Sequence, residues 1–272
     1  GLVGGHSGTE IHKGRANANV VLGRVLQAMG EETALRLVTA QGGSKDNAIP
    51  VGSSARVVAA DETAARQAAE RMAADLAREY AAADPGLRVE VTACTASETP
   101  MDKASTERAV CLLTCLPNGI QAMSMDIPGL VQTSLNLGVL TTTEDCLTAT
   151  FCVRSSVGSQ KTMLHRRLRA LMAQLCGTAE ISGDYPAWEY RPDSPLRDLM
   201  TEVFREQYGR EPQIEAIHAG VECGILAGKL PGLDCVSIGP DLLEIHTPRE
   251  RMDIASVQRV WRFMLEVLKR SK

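Results

Sequence analysis

Residues 61–84 contain neither glycine nor proline, and their apolar side chains recur at helical spacing. Ala65, Ala68, Met72, Leu76 and Tyr80 fall on one face, with arginines and acids on the other. Asp61 is a natural N-cap, and Pro85-Gly86 ends the run. Alternating segments flank this helix at Ala55–Ala59 and Leu87–Ala93. The same pattern returns as a strand over Leu147–Ser156 and a helix over Gln160–Cys176, capped by Gly177. In that second helix Met163, Leu164, Leu168, Leu171, Met172 and Leu175 are expected to point inward. Two such units with antiparallel strands predict a doubled ferredoxin-like α+β domain. Further strands are expected at Leu35–Thr39, Gln121–Ile127 and Asn136–Thr143, and a helix at Ala18–Met29.

At 272 residues the chain can bury a good core in one large or two medium domains. A net charge of −4 gives no electrostatic reason to bind nucleic acid. Two tryptophans, four tyrosines and three phenylalanines are too few for a base-stacking platform. No apolar run approaches the roughly 20 residues needed to span a bilayer, so no membrane partner is expected. The start, GLVGGHSG, has no basic or apolar leader segment. The eight cysteines form no CxxC pair and read as buried free thiols of a reducing cytoplasm, with Cys152 and Cys235 inside apolar strands.

The C-terminal third reads as α/β. Apolar runs at Ile214–Ile217 and Leu233–Ile238 alternate with glycine turns, as in buried strands joined by tight loops. His218, Glu222 and Cys223 follow the first run, and His246 follows the second. Pro248 stiffens the backbone beside His246, and a neutral imidazole held that way suits a divalent metal. The plain alternative is a loop histidine with local hydrogen bonds. A helix follows Ser194-Pro195 and closes at Gly209, with Leu196, Leu199, Met200, Val203 and Phe204 inward. A last helix over Asp253–Lys269 is expected to bury Ile254, Val257, Val260, Trp261, Met264 and Leu268. Near the start, Gly4-Gly5-His6-Ser7-Gly8 is a tight turn that fits neither nucleotide-binding glycine pattern. On composition alone His6 is a solvated turn residue, Asn47 a turn residue and Arg154 a surface charge.

HAGVECG, then SIGP, then a histidine before Thr-Pro resemble the C-terminal end of the aminoacyl-histidine dipeptidases, or carnosinases, which are cytosolic di-zinc exopeptidases. GLVGGHSGTEIHKGRANAN, NAIP at Asn47–Pro50 and FCVRSS at Phe151–Ser156 fit the same family in order. The resemblance spans the chain, while the family's enzyme is longer. It implies a lid and dimerisation domain over residues 1–183. Residues 184–272 would be the C-terminal part of a zinc-exopeptidase α/β catalytic domain, beyond a hinge at Gly183–Pro192. His6 would stabilise the oxyanion of the tetrahedral intermediate, in its own site or across a subunit interface. Asn47 would give an amide to the substrate, the Gly220 backbone would help orient it, and Arg154 would fork onto the dipeptide's C-terminal carboxylate. His246 would be a zinc ligand, with other divalent metals as alternatives.

Paired-zinc hydrolysis needs a bridging carboxylate and a general base. No His-x-Asp occurs, and the Glu31-Glu32 pair reads as surface. Glu222 either supports the ligand shell or pairs with a base. One histidine cannot hold zinc tightly. The expectation is therefore a homodimeric, cytoplasmic dipeptidase for Xaa-His and related dipeptides whose N-terminal catalytic segment is absent here, this chain alone being inactive. The alternatives are a non-catalytic oligomerisation or binding module, and an aminoacylase or tripeptidase of the same di-zinc group.

Overall fold

A computed structural model describes residues 1–95, 98–216, 222–244 and 248–271. Of the described residues, the first of two compact units comprises Gly1–Gly183, and the second comprises Asp184–Ala216 and the described residues from 222 onward. Among the described residues no helix is long and apolar enough to cross a membrane.

The first unit is an antiparallel sheet with helices packed on it. A short strand β1 (Gly5–His6) leads to helix α1 (Ala18–Glu32), β2 (Leu35–Gly42), β3 (Ala48–Ile49), β4 (Ser53–Ala59) and α2 (Glu62–Glu79). Then come α3 (Lys103–Cys115), β5 (Gly119–Met123), β6 (Val131–Thr142), β7 (Leu147–Ser155) and α4 (Gly158–Gln174). The sheet runs β4-β2-β6-β5, with β7 also paired to β6. β1 and β3 form a separate ladder.

Helices α1, α2 and α3 begin at the side-chain caps Asn17, Asp61 and Asp102, whereas α4 starts after Val157 with none. Asp61 accepts from the Ala64 N–H, and Asp102 caps α3 through Ser105. The inward face of α2, with Ala65, Ala68, Ala69 and Leu76, meets Val21, Val25 and Leu26 of α1 and Leu37 of β2 in the main core. Alanines on α2 keep that layer thin, and Gly23 lets α1 approach α3. A Cβ on Gly23 would lie 2.7 Å from Leu113 Cβ.

In both β2 and β6 the inward parity shifts across a bulge. Leu37 is followed by Ala40, and Leu137 by Leu140, all in the core. The repeat in the unit is a hairpin followed by a helix, β2–β4–α2 and β6–β7–α4. The expected strand at Leu87–Ala93 does not form; that segment is irregular, although Leu87, Val89 and Val91 still pack on the core. Hydrophobic alternation placed it against the core without giving it a ladder partner. In α4 only Leu164 is fully buried, and Met163, expected inward, is exposed.

The second unit holds α5 (Pro195–Tyr208), α6 (Glu222–Lys229), short strands β8 (Leu242–Leu243) and β9 (Arg251–Met252), and α7 (Ile254–Arg270). Ser194 caps α5 by accepting from the Arg197 N–H, and donates to Asp234 at 2.7 Å. Val203, Phe263 and Val267 form its core, packed by Leu196, Leu199, Met200 and Phe204 as expected for α5. The face expected for α7 is corrected: Ile254, Trp261 and Leu268 are exposed, and Ser256, Phe263 and Val267 are buried. The apolar residues of α7 exceed one stripe, and the partner α5 selects which stripe is covered.

The strand expected at Leu233–Ile238 is likewise corrected, as is the described part of that at Ile214–Ile217, whose last residue lies outside the described residues. Residues 211–216 and 233–241 are irregular, with Ile214 and Ile238 exposed. Apolar runs of this kind become strands only with neighbours to complete their backbone bonds, and among the described residues neither has one. All eight cysteines are free, but none is buried, and Cys235 lies in irregular chain.

Candidate substrate-orienting site

Three of the five candidate residues come together in the first unit. β1 pairs antiparallel with β3, so Gly5 faces Ile49 and His6 faces Ala48. The Ser7 N–H donates to the Asn47 carbonyl at 2.8 Å. The glycine turn carrying His6 and the loop carrying Asn47 are thus one small ladder, although about forty residues separate them.

The turn is held from several sides. Buried Asp84 accepts from the Val3 N–H at 2.6 Å and from the Ala16 N–H at 2.7 Å, closing both ends of the loop. Glu10 accepts from the His6 N–H at 2.9 Å and from Lys13 at 2.7 Å. The Lys13 ammonium, then the His6 N–H, hold the Glu10 carboxyl far below its usual range, at about 2. Arg15 donates to the Gly4 carbonyl and to Glu10. Gly5, at φ 143°, is required here: a Cβ would meet Arg15 Nη1 at 2.6 Å and Glu10 Oε2 at 2.8 Å.

His6 is half-buried. Its Nδ1 accepts from the Gly8 and Thr9 N–H groups at 3.2 and 3.1 Å. A nitrogen that accepts two backbone donors carries no proton, so the ring proton sits on Nε2. Asn47 is exposed, and its backbone N–H bonds the Asp46 side chain. His12 is exposed, and Glu31 and Glu32 are exposed at the end of α1.

Arg154 lies on β7 opposite Ser134 of β6. Asn136, two residues along β6, is on the same face and about 7 Å away along the strand. Asn136 Nδ2 donates to the Asp46 and Ala48 carbonyls, both at 2.8 Å. The sheet face bearing Arg154 therefore adjoins the loop bearing Asn47. Arg154 is partly buried, and its Nε is buried without a partner. An unpaired buried donor is costly and points to a ligand.

Gly220 and His246 lie outside the described residues, as does His218. Glu222 opens α6 and Cys223 follows it, rather than capping a strand. Among the described residues no group of three or more His, Cys, Asp or Glu could hold a metal. The described side chains by themselves do not fit the zinc centre expected from the sequence. Two depressions of about 420 and 490 Å³ are lined by the Gly42–Gly43 and Pro50–Gly52 segments, not by His6, Asn47 or Arg154.

Asp84, Asn17 and Asn136 were not singled out from the sequence. A polar residue inside the apolar run Leu135–Leu140 is a signal of a buried hydrogen-bonding role. Asn17, just before the apolar helix, was legible as an N-cap. Nothing local marks Asp84.

Residues 1–85 match the family model described as "Peptidase dimerisation domain". The chain is 35% identical over 271 residues to the cytosol non-specific dipeptidase of Escherichia coli (strain K12), covering 99% of this chain and 56% of that protein. It is also similar to the aminoacylhistidine dipeptidase of Vibrio alginolyticus, a crystal structure, with a TM-score of 0.91 and 33% identity. That match covers 99% of this chain and 55% of the other. The resemblance read from the sequence holds along the chain, and the chain spans about half the length of these relatives. The chain's mixed α and β fold is that of the matched structure.

Proposed function

We propose that this chain supplies the lid and the substrate-orienting face of a cytoplasmic metallo-dipeptidase. The observation that carries this is the unpartnered, buried Nε of Arg154 on the sheet face adjoining the Asn47 loop. A guanidinium offers two parallel donors, the geometry of a carboxylate, and a dipeptide ends in a carboxylate near its scissile bond. Asn47 presents an exposed amide beside His6. His6, with its proton on Nε2, is a neutral donor suited to an oxygen that gains negative charge during hydrolysis. The Gly220 backbone is proposed to add to substrate orientation and His246 to be a zinc ligand. The described residues do not by themselves assemble a zinc site. On this reading the substrates are Xaa-His and related dipeptides, and the lid forms a homodimer.

The test is steady-state hydrolysis of β-alanyl-histidine by the intact protein and by Arg154→Ala. A lost bidentate contact to carboxylate is expected to raise KM roughly 10- to 100-fold. An unchanged KM would remove the assigned role. A protein with no hydrolysis of dipeptides, aminoacylated substrates or tripeptides under zinc would leave the binding or oligomerisation module as the function.

A further inference from the structure

We propose that Asn136 is the positioning residue of the site, acting on substrate through the backbone of the Asp46–Ala48 loop. The proposal rests on the reading of Asn47 and His6 as substrate contacts.

Asn136 is 1% exposed, in the middle of β6, and both N–H donors and the oxygen of its side-chain amide are engaged. Nδ2 donates to the carbonyls of Asp46 and Ala48, the two neighbours of Asn47, both at 2.8 Å. Oδ1 accepts from Asn17 Nδ2 at 3.1 Å. This arrangement assigns the amide orientation by itself, because the reverse would set Oδ1 against two carbonyl oxygens. Asn17 is in turn fixed: its Oδ1 caps α1 by accepting from Asn19 and Val20 N–H groups. Its Nδ2 also reaches the Leu137 carbonyl at 3.0 Å and Asn118 Oδ1 at 3.3 Å. The start of α1, strand β6 and the Asn47 loop are thereby tied into one buried polar network.

The loop has little room to settle elsewhere. A Cβ on Gly138 would lie 2.4 Å from Asp46 Cα, and one on Gly43 would lie 1.9 Å from the Gly138 carbonyl. Backbone packs on backbone here, and the direction of the loop is set by hydrogen bonds. An apolar residue at 136 would leave the Asp46 and Ala48 carbonyls without those donors in a buried place. Since Ala48 faces His6 in the ladder, and the Asn47 carbonyl holds Ser7, a shift of the loop moves both contacts together.

The experiment is a double-mutant cycle of Asn47→Ala and Asn136→Ala in the intact protein, read with β-alanyl-histidine. It is combined with amide exchange at Ser7 and Ala48. Each single variant is expected to lower kcat/KM roughly 10- to 100-fold, and the double variant no more than the worse single. The Ser7 and Ala48 amides are expected to exchange about tenfold faster in Asn136→Ala, while those of α2 keep their rates. Multiplying losses, an unchanged kcat/KM, or unchanged Ser7 and Ala48 exchange overturns the proposal. Should Asn136→Ala not fold, Asn17→Asp keeps the helix cap and removes the donor to Asn136, and the same faster exchange is required of it. A wild-type protein inert toward dipeptides would refute the dipeptidase reading alone. The exchange measurement would then still decide whether Asn136 holds the loop.

Discussion

Glu10 ties the His6 turn to its own flank, and its depressed pKa makes that tie pH-dependent. The folded value is about 2 against an ordinary value of 4.5, chiefly through Lys13 and then the His6 N–H. A carboxylate with a lowered folded pKa contributes stability above its unfolded value and loses it as pH falls toward the folded one. The contribution should be complete above pH 4.5 and fade between there and about 2. Thermal melts across that window are expected to flatten in Glu10→Gln relative to wild type; parallel curves would mean that Glu10 is solvated in the folded chain. The neighbouring anchor Asp84 was not legible in advance. Its partners Val3 and Ala16 lie 81 and 68 residues away, and a carboxylate at the end of an alanine-rich helix is ordinarily a surface charge.

Helix α2 was legible down to its cap and its buried alanines, because cap, periodicity and terminator agree. The contact of α1 with α3 was not, since a mid-helix glycine carries no sign of what crosses it. Gly23→Ala should gain helix propensity, worth roughly 1 kcal/mol. It should lose more by pushing a methyl group into Leu113, whose backbone carbon and oxygen stand 3.0 Å from the added atom. A net loss of about 1 kcal/mol is expected. Chemical denaturation checks it; a stabilised variant would place α3 farther from α1 than it is here. Helix α7 carries the complementary lesson. Its period was correctly helical, yet it has more apolar positions than one contact covers, so the sequence left open which stripe meets Phe204.

At the scale of the molecule, the first unit closes its core between sheet and helices, and the match of residues 1–85 to a peptidase dimerisation domain is the ground for the proposed homodimer. Edge strand β4 leaves Val58 exposed at 42%, a sheet edge of the kind that invites a partner. Sedimentation equilibrium is expected to give twice 29.2 kDa; a single species of 29.2 kDa at all concentrations would remove the homodimer. The sequence by itself determined what is local: the spans of α1, α2, α4, α5 and α7, and the Asp61 and Ser194 caps. Those follow from hydrogen-bond geometry and side-chain period within a few residues. Only the tertiary structure decided what depends on distant partners. It turned Leu87–Ala93 and Leu233–Ile238 from expected strands into irregular chain, because a strand requires a neighbour to bond. It brought His6 against Ala48, and it set Asn136 between the Asn47 loop and Asn17. Buried amides at that distance are chosen by the fold's need to satisfy polar groups, which no local pattern records.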